Sequence, residues 1–349
     1  MWAWATLSHL PPPVSFAAIS DRALGMLDRC TTWELSVMLF AHARFRHAPD
    51  DVVGYLLGQR LYQGGLEDLE LQAVPGLLTS AAKLGIALPP SRVGECLASV
   101  AQQGSSRHVA QCVWAQCVMS AANPEALRAI LPRMQAAVRA TVCTAQSNGA
   151  VPVAAASLLL QSDAAVRCLT GGRQGKVGEV GAALLALGGL LGAADPLQVA
   201  QGPSAAAAGL LDEATALACR QALCADPPRA RRRVVRARRR LAKAASLLPG
   251  VERVAEACVV VGGLFTVDVL CDVVGGGAPS RLAFDIVTPE QCFANVPDQP
   301  MGHRVFRSRL VEAAEGVPLL GVPLQELELA EGNLAVVELL QRRMFAAGL

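Results

Sequence analysis

The sequence predicts a mostly α-helical chain that ends in a small α/β module. Three observations carry this reading. Hydrophobic residues make up 52% of the 349 residues but aromatics only 4%, with alanine and leucine prominent, a mixture suited to closely packed helices. Residues 20–145 are weakly self-similar at the length of a helix pair. From Leu264 onward the pattern changes to β-branched runs around a glycine cluster. The chain is long enough to bury a sizeable core and to hold more than one domain.

The first twenty residues read as a tail. MWAWATLSHLPPP has no charged n-region and the first arginine is Arg22, so no targeting signal is legible. Helical repeats are expected over 21–225. WELSVMLFAHARF (33–45) precedes PDDVVGYLLGQRL (49–61), LQAVPGLLTSAAKL (71–84) precedes PPSRVGECLASVA (89–101), and RHVAQCVWAQCVM (107–119) precedes PEALRAILPRMQAAV (124–138). Aligning Ala43, Ala82 and Cys117 brings Leu39, Leu78 and Val113 into register, and likewise Phe45, Leu84 and Met119. A unit of about 35–39 residues is the length of one helix–turn–helix repeat, and such units bury their apolar faces by stacking into an α-solenoid. Between 145 and 225 glycine- and alanine-rich interruptions separate helical runs at 153–168, 179–194 and 205–224, as in degenerate repeats.

Residues 226–263 are expected to form a basic helix and a connector. The net charge of +2 conceals nine cations with no acid among them: Arg229, Arg231, Arg232, Arg233, Arg236, Arg238, Arg239, Arg240 and Lys243. A helical wheel places Arg229, Arg233, Arg236, Arg240 and Lys243 on one face and Val234, Ala237, Leu241, Ala245 and Leu248 on another. Docked by its apolar side, this helix offers arginines to a phosphate backbone; a solvated face, an anionic membrane contact and a targeting signal are the alternatives. The eleven cysteines form no CxxC pair, which leaves out zinc ribbons and disulfide frameworks and predicts reduced, buried thiols. The longest apolar run, residues 181–194, is too short to span a bilayer.

The module from 264 to 349 reads as strand, glycine turn, strand, basic helix, short strand and helix. FTVDVLCDVV (265–274) and RLAFDIVTPE (281–290) flank the Gly275–Gly277 run. A turn centred between Gly277 and Ala278 sets Val287 opposite Asp268 and Leu270 opposite Asp285, with the two aspartates diagonal on one sheet face. Two converging acids are a candidate divalent-metal site. GHRVFRSRLVEAAEG (302–316) supplies His303, Arg304 and Arg307 as further candidates for phosphate contact.

Taken as an ordered set, these residues resemble the RAP domain, a small RNA-associated module similar in fold to the PD-(D/E)XK, or restriction-endonuclease-like, nucleases. The matching positions are Asp268 and Asp285 in the two strands, Thr288-Pro289 and Phe293 in the turn, and Arg304, Arg307 and Leu310 in the basic helix. Gly316 and Val322-Pro323 complete the set. The upstream array is similar to the helical repeats of FAST-kinase-type and octotricopeptide-repeat organellar proteins. A cleaving site needs a lysine two residues after the second acid, and Val287 stands there. The family's glycine after the second strand is Thr288, and its tryptophan after the last strand is replaced in the QELEL run.

The resemblance implies an organellar RNA-binding protein, mitochondrial or alternatively of a plastid, acting in RNA processing, stability or translation. The expected RNA-binding residues are Arg229, Arg232, Arg233, Arg236, Arg239, Arg240, Lys243, His303, Arg304 and Arg307. No catalytic residue, metal or cofactor is assigned. A metal-dependent endoribonuclease would instead use Asp268 and Asp285 with Mg²⁺, and a structural component of an organellar ribosome would contact rRNA and ribosomal proteins.

Overall fold

A computed structural model describes residues 2–6, 12–49, 51–63, 69–88, 90–120, 128–138, 153–170, 210–211, 232–261, 264–274 and 281–349. The described chain is mostly helical, with one small mixed sheet near its C-terminus. It divides into two compact units. The first holds the described residues up to 170, residues 210–211 and Cys292–Phe306; the second holds residues from 232 to Gln291 and Arg307–Leu349.

In the first unit the helices are α1 (Trp2–Thr6), α2 (Pro13–Leu24), α3 (Thr32–Phe45), α4 (Asp51–Tyr62), α5 (Val74–Leu84), α6 (Pro90–Gln103), α7 (Ser106–Ser120), α8 (128–138) and α9 (Val153–Thr170). Their local determinants are readable. Thr31 caps α3 and Glu34 returns a bond to the Thr31 amide, a complete capping box. Pro75 lies in the first turn of α5, and Gly85 ends that helix in the left-handed conformation. Helix α3 packs on α1 and α5, α5 on α7, and α7 on α9, while α4 lies against α3 and α6 against α7. Leu39, Leu78 and Val113, which share a register in the sequence, are all fully buried. The helical runs expected at 179–194 and most of 205–224 lie outside the described residues.

The second unit contains α10 (Arg232–Ala245), β1 (Val251–Val260), β2 (Phe265–Val273), β3 (Arg281–Val287), most of α11 (Gly302–Glu315), β4 (Leu319–Pro323), α12 (Leu324–Leu329) and α13 (Gly332–Ala346). The sheet order is β1-β2-β3-β4, with β1–β2 and β2–β3 antiparallel and β3–β4 parallel. Val269, Cys271, Leu282, Phe284, Ile286 and Val322 turn one sheet face onto Leu241, Ala245 and Leu248 of α10, Leu327 of α12 and Leu339 and Leu340 of α13. This apolar layer is the core of the module.

Four expectations are corrected. Residues 1–20, expected as a tail, contain α1 and most of α2, and Ala5 and Phe16 are buried against Ala41 of α3. Strand β1 lies where a connector was expected. As an edge strand it keeps Glu252, Arg253 and Glu256 exposed, and its charges give the sequence no clean alternation. Helix α12 occupies the QELEL run, which suggested no element of its own. The β2–β3 register also differs by two residues: Asp272 pairs with Arg281 and Val269 with Phe284, where the expected turn would have set Val269 opposite Ile286. One step beyond the last pair, Asp268 faces Asp285 directly, rather than facing Val287.

Candidate nucleic-acid interface

The arginines of α10 divide by direction into three groups. Its inward side buries Ala237, Leu241, Ala242, Ala244 and Ala245. Arg238 projects beside this side, one turn from Val234 and Leu241, where an unpaired guanidinium would be costly. Its Nε donates to Asp268 Oδ1 at 2.7 Å. On a second flank Arg233 pairs with Glu328, and Arg240 donates to the carbonyls of Leu327, Ala330 and Gly332. The Leu327 and Ala330 carbonyls lie at the C-terminal end of α12, among the acceptors that a helix end leaves over, and Gly332 begins α13.

The third group is the outward stripe. Arg232, Arg236, Arg239 and Lys243 are all exposed and make no ion pair or side-chain hydrogen bond with any described residue. They stand at i, i+4, i+7 and i+11, which brings them onto one line about 16 Å long. The expected cationic face is sorted by its partners: Arg233, although exposed, is paired with Glu328, Arg240 is bonded to backbone carbonyls, Arg232 and Arg239 join Arg236 and Lys243 on the unpartnered line, and Arg229 lies outside the described residues.

The two strand acids are buried, Asp268 at 6% and Asp285 at 1% exposure. Asp268 Oδ2 accepts the Ile286 amide at 2.8 Å, closing the gap where the β2–β3 ladder ends. Arg307 reaches from α11 to grip Asp285 through both guanidinium nitrogens, at 2.6 and 3.2 Å. It also donates to the Thr266 carbonyl at 2.7 Å and lies 5.7 Å from the centre of the Phe265 ring. Burial, then the neighbouring Asp285 charge, raises the Asp268 pKa; the bonds from Ile286 and Arg238 oppose the rise.

This arrangement does not suit a divalent metal. Both oxygens of Asp285 face one guanidinium, and those of Asp268 face Arg238 and a backbone amide. A cation would have to displace two arginines to reach the acids, and Val287 offers nothing to position a water. Arg238 is the site residue that sequence reasoning missed. Its place on the apolar flank of the wheel is the signal that could have found it, because a cation there requires a buried acid.

The remaining candidates are engaged elsewhere. Arg304 is buried, at 3% exposure, in the first unit. Burial first, then Lys83 and Arg304, lower the His303 pKa to about 4, so this imidazole is neutral at pH 7; its Nδ1 is buried without a hydrogen-bond partner. Neither residue offers a solvent-facing charge comparable to the α10 stripe. The described cysteines are all free thiols; burial pushes Cys112, Cys117 and Cys271 up to about 12. No described helix is long and apolar enough to cross a membrane.

Fold and site together define a class: a mostly helical chain carrying a mixed four-stranded α/β module, with internally neutralised acids and outward cations on one helix. No family model matches the chain, and no curated protein matches it.

Proposed function

We propose that the chain is an organellar RNA-binding protein, of a mitochondrion or a plastid, acting in RNA processing, stability or translation, and that its nuclease-shaped C-terminal module does not cut. The observation that carries the reading is the stripe Arg232, Arg236, Arg239 and Lys243. These four cations, without partners among the described residues, share one helix line whose opposite side is anchored in an apolar core. A rigid row of this kind suits a polyanionic backbone, and neutralising phosphates releases counterions. The ordered resemblance of the last module to the RAP domain supports RNA as the polyanion. In this reading α3, α5, α7 and α9 form one rank of a solenoid, and the acid pair is a structural pin.

RNA affinity measured over a salt series tests the proposal. Replacing Arg232, Arg236, Arg239 and Lys243 together by glutamine is expected to make the log–log slope shallower by about 3, since each phosphate neutralised on a single strand contributes about 0.7. A slope identical to the parent protein rejects the stripe. Arg240→Gln, which removes bonds to backbone carbonyls, serves as the control: it is expected to lower stability and leave the slope in place.

A further inference from the structure

We propose that helix α13 is a self-association seam, through which two copies of this chain pair antiparallel about a two-fold axis; the pairing does not depend on RNA. Helix α13 packs on α10, β4 and α12, and Val336, Leu339 and Leu340 are its core residues. On the helical wheel the side opposite those three carries Leu334, Glu338, Gln341 and Phe345. Leu334 is 75% exposed and Phe345 84%. A single exposed apolar residue is ordinary on a protein surface. Here two large ones stand on one line, about 16 Å apart, with polar residues between them. The steps of four, three and four residues along this line are those of a coiled-coil seam.

The charges on this face select the occupant. Glu338 and Arg342 are exposed and make no ion pair or side-chain hydrogen bond with any described residue, each other included. Arg343, by contrast, is held by Glu326. A two-fold axis set between Leu339 and Leu340 brings Leu334 against the partner's Phe345 at both ends of the seam. The same axis sets Glu338 within one residue step of the partner's Arg342, twice over and on one side of the seam, with the two Gln341 side chains on the other. Parallel pairing would instead stack Glu338 on Glu338. The face is therefore complementary to itself in the antiparallel sense, as a two-fold interface requires. One helix from each copy makes a small interface by the standards of specific complexes, so the dimer is weak and reversible.

The test uses the full chain, free of RNA and under reducing conditions because its described cysteines are free thiols. Sedimentation equilibrium from about 5 to about 200 µM is expected to show exchange between monomer and dimer. Leu334→Gln/Phe345→Gln is expected to weaken the dimer about ten-fold or more and to leave the thermal midpoint in place, since both side chains are exposed. Glu338→Arg and Arg342→Glu are each expected to weaken association when alone. Mixed together the two variants pair again, as does the Glu338→Arg/Arg342→Glu chain with itself, because each combination restores opposite charges across the two-fold seam. A parent chain that stays monomeric at about 200 µM overturns the proposal. A dimer that survives the glutamine variant also overturns it, because association would then lie elsewhere on the chain. Charge reversals that fail to recover on mixing overturn it as well.

Discussion

Asp285 shows how little freedom a buried charge has. Its two oxygens are held by Arg307, which is itself fixed by the Thr266 carbonyl and the Phe265 ring. Removing one member of such a pair leaves the other charge desolvated, so Asp285→Asn is expected to lower unfolding free energy by about 3 kcal/mol. Urea unfolding measures this, and Asp285→Asn/Arg307→Met should recover part of the deficit. A second residue-scale prediction concerns pH. Burial lowers the His42 pKa from 6.5 to about 4, its ring meeting both Phe16 and His47 edge-on. The unfolded chain binds a proton that the folded chain refuses. His42 therefore leaves stability intact above pH 6.5 and removes it as pH falls toward 4, by about 3 kcal/mol. His303 adds a second group of the same sign. Unfolding curves across this range check both, and His42→Gln should flatten the dependence.

At the scale of elements, close approach decides residues that composition leaves open. Gly302 begins α11, and a Cβ there would lie 2.1 Å from the Ala82 carbonyl oxygen and 3.0 Å from the Gly85 amide. Backbone on the other side leaves no side chain to move. Gly302→Ala is expected to destabilise the chain by about 1–3 kcal/mol, read from the thermal midpoint; an unchanged midpoint would refute the close approach. Gly250 has a different role. At φ +78° it turns α10 into β1, with a substituent excluded by the Val274 carbonyl oxygen. Helix α10 joins these levels because its inner side is core, one flank binds α12 and α13 through Arg233 and Arg240, and the line of Arg232, Arg236, Arg239 and Lys243 faces outward without partners among the described residues. The wheel located the amphipathicity correctly. Which cations were left for a ligand depended on acids and carbonyls from residues far along the chain, such as Glu328.

For the molecule as a whole, the arginines on the acid pair predict the absence of metal chemistry. Incubation of the protein with RNA and Mn²⁺ is expected to leave the RNA intact, and Mn²⁺ to leave the thermal midpoint unchanged. Cleavage that Asp268→Asn abolishes would mean that the arginines yield to a cation. The amino-acid sequence by itself determined the helical character, the change to an α/β module near Leu264, the strands β2, β3 and β4, and the basic amphipathic helix. Each is written in local periodicity and turn chemistry, which neighbouring residues settle among themselves. Tertiary structure alone decided the edge strand β1, the two-residue register of the aspartates and the sorting of the α10 arginines. Those depend on partners distant in sequence: pairing to β2 overrides the mixed pattern of residues 251–260, and burial beside Asp268 takes Arg238 out of the cationic surface.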